Sequence, residues 1–262
     1  MAKKYQEFAL ALSGGGARGI VHAGFLKALD EAGLKPSAIS GASMGAIVGS
    51  MYAAGVKPDE MMKALKYPDL KTLPSWLGFK AGIGSLEIVR KTLEQKIGSD
   101  RFEDLKIPLT VAVTNLNRAC VELINTGNLY DAVIASSSIP ILFMPQKIGD
   151  HFYVDGGLTM NLPVKCLKKE GRMIIGINSN HVDELGKEFT SMKQVGERCL
   201  FIAVQRTLVD QIEDCDLFID PAEARLFGTF EFEKANEIFE IGYNSGLENL
   251  PVIKAILAGE VS

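Results

Sequence analysis

The chain has 262 residues, of which 47% are hydrophobic and 23% are charged. This length and apolar content suit one large domain spanning residues 1–262, with enough apolar side chains to fill a core. The net charge is −4 and no long block carries one sign, which argues against a nucleic-acid-binding surface. The first apolar run is too short for a signal peptide, and no stretch approaches the ~18 apolar residues of a membrane span. We therefore expect a soluble cytoplasmic protein, and any contact with a membrane would be peripheral.

The cysteines show neither C-x-x-C spacing nor the clustering of a metal site. They are Cys120, Cys166, Cys199 and Cys215. We expect buried free thiols in a reducing compartment rather than disulfides. Since no calcium-loop pattern occurs either, the sequence predicts no metal and no cofactor.

The first part of the chain alternates strand-like and helix-like segments. The apolar run Glu7–Leu12 predicts a buried strand, and the glycine-rich residues 13–19 lead from it into a helix. Residues 37–40 predict a second strand, which a turn at 41–45 joins to a helix that ends at Gly55. This order favours parallel strands joined by right-handed crossovers.

Helical periodicity is lost over residues 68–84, which contain the single tryptophan. A short helix opening at Pro58 precedes this segment, and an amphipathic helix at Ser85–Ile97 follows it. The apolar segment is either a surface loop packed on the core or a flap over an apolar acyl pocket.

The rest of the chain continues the alternation of strands and helices. The predicted strands are 109–116, 120–124, 152–154, 173–177 and 217–219, and the predicted helices are 129–138, 190–212, 232–246 and 252–258. In the long helix 190–212, we expect an apolar stripe to face the core: Met192, Val195, Cys199, Ile202 and Val209. The pattern predicts an α/β fold, a three-layer α/β/α sandwich with a mostly parallel central sheet, whose ligands bind beyond the carboxyl ends of the strands.

Residues 41–45, Gly-Ala-Ser-Met-Gly, have the G-x-S-x-G form of a nucleophile elbow between a strand and a helix. Such a turn projects the Ser43 hydroxyl above the sheet, while Gly41 and Gly45 allow close backbone contacts. The helix N-terminus favours negative charge developing there. In a chain with 26 glycines, the pentapeptide alone is a weak signal.

Residues 14–19, Gly-Gly-Gly-Ala-Arg-Gly, contain a literal G-x-G-x-x-G between a strand and a helix. In a dinucleotide site, an acidic residue ~20 positions later would hold the ribose. This chain has Ile39-Ser40-Gly41 there, which disfavours a nicotinamide cofactor. The other interpretation is an oxyanion hole, in which successive glycine N–H groups form a concavity for an anion. Arg18 either adds positive charge nearby, where it could hold a phosphate-bearing head group, or forms a structural pair.

A serine nucleophile needs a base, and two kinds of candidate exist. His22 lies on the first helix and His181 in a polar loop, so His151 is the only serious histidine candidate. The other candidate is Asp155, which stands between an apolar strand end and two glycines. A free aspartate, with a pKa of ~3.9, is too acidic for efficient base catalysis near neutrality, but desolvation raises that pKa. A tight turn is the alternative interpretation of Asp-Gly-Gly.

Four motifs, in this order and spacing, resemble those of the patatin-like phospholipases. They are Gly-Gly-Gly-Ala-Arg-Gly at 14–19, Gly-Ala-Ser-Met-Gly at 41–45, Ala-Ser-Ser-Ser-Ile-Pro at 135–140, and Asp-Gly-Gly at 155–157. The likeness covers residues 5–250 and is to the short, single-domain bacterial type. Asp-Gly-Gly stands where the family more commonly has Asp-Gly-Ala.

The resemblance implies a catalytic dyad of Ser43 as nucleophile and Asp155 as base. It places Gly14, Gly15 and Gly16 in the oxyanion hole, with supporting residues Arg18, Gly19, Gly41, Gly45, Gly156 and Gly157. The expected activity is hydrolysis of lipid carboxylic esters through an acyl-enzyme, as in a phospholipase A or a lysophospholipase. A thioesterase or acyltransferase with the same dyad, or a catalytically idle regulatory protein, stays open. The expected partner is a lipid or another acyl ester, and no oligomeric state is predicted.

Overall fold

The computed structural model describes residues 5–65, 81–181 and 188–260, together with Glu184 and Gly186. The strands are β1 (Glu7–Leu12), β2 (Ala38–Gly41), β3 (Leu109–Asn115), β4 (Cys120–Ile124), β5 (Gln146–Ile148), β6 (His151–Asp155), β7 (Arg172–Ile177) and β8 (Leu217–Ile219). The α-helices are α1 (Val21–Glu31), α2 (Met44–Ala54), α3 (Pro58–Leu65), α4 (Ala81–Ile97), α5 (Leu129–Ser136), α6 (Gly157–Met160), α7 (Met192–Arg206), α8 (Val209–Ile212) and α9 (Ala235–Ala258).

These strands form one sheet in the order β5-β6-β3-β2-β1-β7-β8, with β4 paired to β3. The run from β3 through β2, β1 and β7 to β8 is parallel. The pairs β3–β4, β3–β6 and β5–β6 are antiparallel. The predicted α/β fold with a mostly parallel sheet is therefore confirmed. The short edge strand β5 was not predicted, because Gln-Lys-Ile carries no strand pattern.

Strand β1 runs between two apolar cores on opposite faces of the sheet. Phe8, Leu10 and Leu12 belong to the larger core, which includes buried side chains of α1, α2 and α9. Ala9 and Ala11 belong to the smaller core on the other face. Successive side chains of a strand point to opposite faces, so β1 alternates large and small residues to fit layers of unequal thickness.

Strands β2 and β6 lie end to end along one edge of β3. Strand β2 runs parallel to β3 and pairs with residues 109–111. Strand β6 runs the opposite way and pairs with residues 113–115, while β4 occupies the other edge of β3. The carboxyl ends of β2 and β6 therefore point toward each other across Ala112. This meeting of strand ends creates the candidate site.

The predictions for the long helix at 190–212 are wrong in two respects. The helix is divided into α7 and α8. The apolar stripe expected to face the core is exposed instead: Met192, Val195, Cys199, Ile202 and Val209. Helix α7 turns a second apolar set, Leu200, Phe201 and Val204, toward the protein. A helix that is apolar on both sides gives no periodic signal for which side is buried.

The two predicted C-terminal helices are one helix, α9, which continues through Pro251. Proline removes one backbone donor and crowds the preceding turn. Burial of Ile253, which is 0% exposed, holds the turn beyond the proline in place.

Three further predictions concern the flap, the cysteines and the membrane. Of the predicted flap at 68–84, residues up to 80 lie outside the described part of the chain, and α4 begins at Ala81. All cysteines are free, as predicted, but Cys120, Cys166 and Cys199 are exposed rather than buried. Within the described residues, no helix combines the length and apolar character needed to cross a bilayer.

Candidate active site

Ser43 occupies the sharp turn between β2 and α2. Its backbone has φ 52° and ψ −123°, a conformation that residues with a Cβ rarely adopt. The turn brings backbone segments together at both flanking glycines. A Cβ on Gly41 would lie 2.5 Å from the carbonyl carbon of Gly45, and one on Gly45 would clash with the carbonyl oxygen of Leu12. The predicted elbow is therefore a strained turn that only small neighbours permit.

A short hydrogen-bond chain holds the Ser43 backbone against the sheet. The Ser43 N–H donates to Ser136 Oγ at 2.8 Å, and Ser136 Oγ donates to the Ala112 carbonyl oxygen at 2.7 Å. Ser136, at the end of α5, is fully buried. The elbow is thus tied to the residue of β3 that lies between the ends of β2 and β6.

Asp155 ends β6 and is 7% exposed. Its Oδ1 accepts the Gly157 N–H at 2.7 Å, and its own N–H donates to the Ser138 carbonyl oxygen at 2.9 Å. Burial raises the pKa of Asp155 from its ordinary 3.8 to about 6, although hydrogen bonds from the Ser43 hydroxyl and the Gly157 N–H act in the opposite direction. This carboxylate is ionised at neutral pH and is basic enough to accept a proton.

The glycine turn after β1 presents backbone donors beside Ser43. The Gly14 N–H already donates to the side-chain Oδ1 of Asn161 at 3.1 Å. Among the residues that the structure describes, the N–H groups of Gly15 and Gly16 have no acceptor. Unpaired, neighbouring backbone donors of this kind bind anions.

Arg18 lies just after the glycine turn and is 7% exposed. Its Nη1 donates to the His181 carbonyl oxygen at 2.6 Å, and its Nη2 donates to Asn180 Oδ1 at 2.7 Å. These bonds join the turn to the loop that follows β7. Of the two roles considered for Arg18, the geometry favours the structural one.

The remaining predicted glycines also lie in close contacts. A Cβ on Gly19 would meet the Met44 side chain, and one on Gly156 would clash with the Ala112 carbonyl oxygen. A Cβ on Gly157 would lie 2.9 Å from Asp155 Oδ1. The chain can therefore pass close to the elbow and the aspartate only with hydrogen at these positions.

Ser43 and Asp155 open into a narrow cleft of about 30 Å³, room for about one or two water molecules. Its polar lining comprises Gly14, Gly15, Gly16, Ser43, Asp155, Asn161, Asn180 and Thr229. Its apolar lining comprises Ile139, Pro140, Leu158, Leu200, Phe201 and Val204, so α7 forms much of one wall. The arrangement places a serine, a carboxylate and the backbone N–H groups of Gly15 and Gly16 beside a surface suited to hydrocarbon.

The histidines lie elsewhere, and none in the described ranges lines the cleft. His151 begins β6, so the whole strand separates it from Asp155. His22 is buried beneath the glycine turn, where its Nε2 lies 2.8 Å from the Ser13 carbonyl oxygen, and burial lowers its pKa to about 4. The His181 Nδ1 lies 3.3 Å from Asp220 Oδ2.

No group of three histidine, cysteine, aspartate or glutamate side chains within the described part of the chain could hold a metal ion. The titratable residue of the cleft is Asp155, whose partners are Ser43 and Gly157. The chemistry that this lining can offer is nucleophilic attack, proton transfer and stabilisation of an anion.

The family profile of the patatin-like phospholipases matches residues 10–167, more than half of the chain. The chain belongs to the patatin-like phospholipase family. This patatin-like chain is 27% identical to the lysophospholipase NTE1 of Cryptococcus neoformans, over 94% of its own length and 17% of that protein. It is 35% identical to an uncharacterized NTE family protein of Mycobacterium tuberculosis, over 60% of its own length and 44% of that protein. It thus spans less than half the length of either relative.

The fold of the patatin-like chain is also found in a solved structure. VipD from Legionella pneumophila superposes with a TM-score of 0.56 at 17% identity, covering 94% of this chain and 67% of that one. At this identity the similarity concerns the fold alone.

Several polar residues of the patatin-like site were not predicted from the sequence. Ser136 entered only as part of the block at 135–140, and its bond to the elbow was not anticipated. Asn161 is a lone amide within the mostly apolar segment 158–164, shortly after Asp155, and that contrast was an available signal. Thr229 follows no pattern, because it reaches the glycine turn through tertiary contact only.

Proposed function

We propose that this chain hydrolyses carboxylic esters of lipids through Ser43 and Asp155. The observation that carries the proposal is the meeting of β2 and β6 on β3, which sets a buried carboxylate with a raised pKa beside a serine on a strained elbow. Gly15 and Gly16, whose N–H groups have no acceptor among the described residues, line the same cleft.

In the proposed acylation step, Ser43 Oγ bonds to the ester carbonyl carbon while its proton passes to Asp155. The π electrons of the carbonyl move onto its oxygen, and the Gly15 and Gly16 N–H groups stabilise the resulting oxyanion. When this intermediate collapses, the bond to the alkoxy oxygen breaks. The departing alcohol or lysolipid takes the proton from Asp155 and leaves an acyl group on Ser43.

In the proposed deacylation step, a water molecule replaces the alcohol. It gives a proton to Asp155 as its oxygen attacks the acyl carbon, and the same donors hold the second oxyanion. Collapse releases the carboxylic acid, and Ser43 recovers its proton from Asp155. One carboxylate thus acts as base and then as acid in each half of the reaction.

The lining of the cleft supports an acyl substrate. Leu158, Phe201 and Val204 offer apolar contacts for a hydrocarbon chain next to Ser43. The similarity to a protein named lysophospholipase favours an ester with one acyl chain. We therefore propose single-chain lipid esters, with lysophospholipids as the first class to test.

A fluorophosphonate probe tests the nucleophile. We expect one adduct, mapped to Ser43 by mass spectrometry, and fatty-acid release from p-nitrophenyl esters and lysophosphatidylcholine. Ser43→Ala should abolish labelling and hydrolysis. Absence of an adduct on Ser43 would contradict the mechanism. Preferred cleavage of acyl-CoA, or acyl transfer to an added alcohol, would point to the thioesterase or acyltransferase alternative.

The pH dependence of hydrolysis tests the base. Asp155 must be ionised to accept the proton, so kcat/KM should fall about tenfold per pH unit below about 6 and level off above about 7. Asp155→Asn should lower kcat by about 10²–10⁴. His151→Ala is the matched control and should retain activity. Near-normal hydrolysis by Asp155→Asn, with loss in His151→Ala, would reverse the assignment.

A further inference from the structure

Asn161 lies in the lining of the cleft, with one amide atom bonded and the other unpaired. The residue is 1% exposed. Its Oδ1 accepts the Gly14 N–H at 3.1 Å, and its backbone N–H donates to Thr207 Oγ1 at 3.0 Å. Its Nδ2 is buried and has no hydrogen-bond partner among the described residues.

The orientation of this side chain follows from the chemistry of its partner. A backbone N–H can only donate, so the amide atom that faces Gly14 must be the oxygen. The amide NH₂ group therefore occupies the other branch. An unpaired amide donor buried in this way costs about 1–3 kcal/mol. Such groups are rare in native structures, and a catalytic role is one of the reasons for which they are kept.

The glycine contacts place the Asn161 amide oxygen near both the nucleophile and the base. Asn161 Oδ1 lies 2.8 Å from the position that a Cβ would take on Gly14, and 2.8 Å from that position on Gly157. The Cβ position on Gly14 is 2.9 Å from Ser43 Cβ, and the Cβ position on Gly157 is 2.9 Å from Asp155 Oδ1. The Asn161 amide group is therefore close to the atoms that would react.

We propose that Asn161 Nδ2 donates a hydrogen bond to the carbonyl oxygen of the scissile ester as that oxygen becomes an oxyanion. It acts together with the Gly15 and Gly16 N–H groups, while the Gly14 N–H holds the amide in position. This inference rests on the proposed ester hydrolysis at Ser43. Under this proposal Asn161 is a catalytic residue, because its side chain would contact the reacting carbonyl oxygen.

The decisive variant is Asn161→Asp, which keeps an oxygen acceptor for Gly14 and removes the donor. On the pH plateau, kcat should fall about 10²–10³-fold with little change in KM, as for loss of one oxyanion donor. Asn161→Ala loses both the donor and the side-chain acceptor of the Gly14 N–H, which keeps only the residue 161 carbonyl oxygen at 3.4 Å, and its kcat should fall at least as far. Asn244→Asp, the same chemical change on the exposed side of α9, should retain wild-type activity.

Two measurements separate the oxyanion role from other roles. A new carboxylate near Asp155 raises the pKa of that group, which shifts the pH profile to higher pH. If Asn161→Asp regains full kcat at high pH, charge alone explains the loss and the proposal is overturned. A donor to the oxyanion also predicts the same fold-loss for p-nitrophenyl and alkyl esters. A loss confined to alkyl esters would assign Nδ2 to the departing alcohol instead and overturn the proposal.

Wild type and Ser43→Ala in the same assay distinguish the two proposals. If wild type is inactive, or Ser43→Ala remains active, the ester-hydrolase proposal fails and this inference fails with it. The ester-hydrolase proposal requires that wild type is active and Ser43→Ala is inactive. If Asn161→Asp then has the same plateau kcat as wild type, only the role of Asn161 is wrong. Cooperative unfolding of each variant shows that a loss of rate is not a loss of fold.

Discussion

At the scale of single residues, the backbone of Ser43 combines strain with tight restraint. A non-glycine residue in this region of φ and ψ costs about 1–3 kcal/mol, and such strain persists only where the surroundings enforce it. The bond from the Ser43 N–H to Ser136, at 2.8 Å, and the close approach of Gly41 to Gly45 supply that enforcement. In return, the hydroxyl stands clear of the sheet and meets Asp155.

Ser43→Gly should therefore be more stable than Ser43→Ala. Both variants lack the hydroxyl, but only alanine keeps the Cβ that strains the backbone at φ 52°. After allowing for the entropy that glycine loses on folding, we expect an advantage of about 1 kcal/mol for Ser43→Gly. Urea unfolding of the two variants measures the difference directly. Equal free energies of unfolding would mean that the elbow is not strained.

At the scale of elements, α1 and α9 pack with their backbones in contact. A Cβ on Gly24 would clash with the Phe239 carbonyl oxygen, and one on Gly242 would clash with the Val21 carbonyl oxygen. A single 3₁₀ turn, Gly16–Ile20, joins the glycine turn to α1, so this contact fixes the helix into which the glycine turn leads.

Gly24→Ala should lower the free energy of unfolding by about 1–3 kcal/mol or more, because the new methyl group meets rigid backbone. Gly196→Ala on α7 is the matched control, since its Cβ would meet only the flexible end of Ile141, at 3.1 Å. There the helix propensity of alanine should offset the small rearrangement. Thermal and urea unfolding of both variants provide the comparison. An unchanged Gly24→Ala would argue against backbone contact between α1 and α9.

The elements differ in how far the sequence predicts them. Strands β1, β2 and β7 and the sharp turn after β2 follow from short apolar runs that end at glycine or polar residues. The buried face of helix α7 could not be predicted in this way, because apolar residues lie on both sides of the helix. The set that is covered is the one that lines the cleft. The end-to-end placement of β2 and β6 depends on which edge of β3 each strand uses, and no local pattern records that choice.

At the scale of the whole molecule, two buried titrating groups act on stability in opposite senses. Asp155 has a folded pKa of about 6, above its ordinary 3.8, so it favours the folded state at low pH and loses that contribution as pH rises between these values. His22 has a folded pKa of about 4, below its ordinary 6.5, so its contribution is present above 6.5 and is lost as pH falls toward 4. Between about pH 4 and 6, Asp155 therefore lowers the free energy of unfolding as pH rises, while His22 raises it.

Asp155→Asn should remove the contribution of Asp155 to the pH dependence of the free energy of unfolding. Relative to wild type, its free energy of unfolding should rise from little difference at pH 4 to an advantage of about 3 kcal/mol at pH 7, from the shift in the Asp155 pKa. Other titrating groups cancel in this difference. Urea titrations of both proteins at several pH values between 4 and 7 measure it. A difference that does not change with pH would show that Asp155 is not buried as a charged group.

The residues of the candidate site could be predicted only where they belong to a short motif of recognisable chemistry and spacing. The positions of Ser43, Asp155 and the glycines were available from four short motifs. The hydrogen bonds that commit Gly14 to Asn161 and Ser43 to Ser136 were not, because each joins residues far apart in the chain. The raised pKa of Asp155 could be expected in direction only, since its size depends on burial by elements that the motifs do not include.

The central position of β1 has a consequence for how the protein is made. Its neighbours are β2, close in sequence, and β7, which leaves the ribosome much later. The glycine turn that follows β1 needs Asn161 and Thr229, and α1 needs α9 near the end of the chain. Strand β1 must therefore wait with one edge unpaired until β7 has emerged, and its glycine turn and α1 stay without their partners until still later parts of the chain follow. We expect nascent chains shortened before α9 to be inactive and to depend on chaperones.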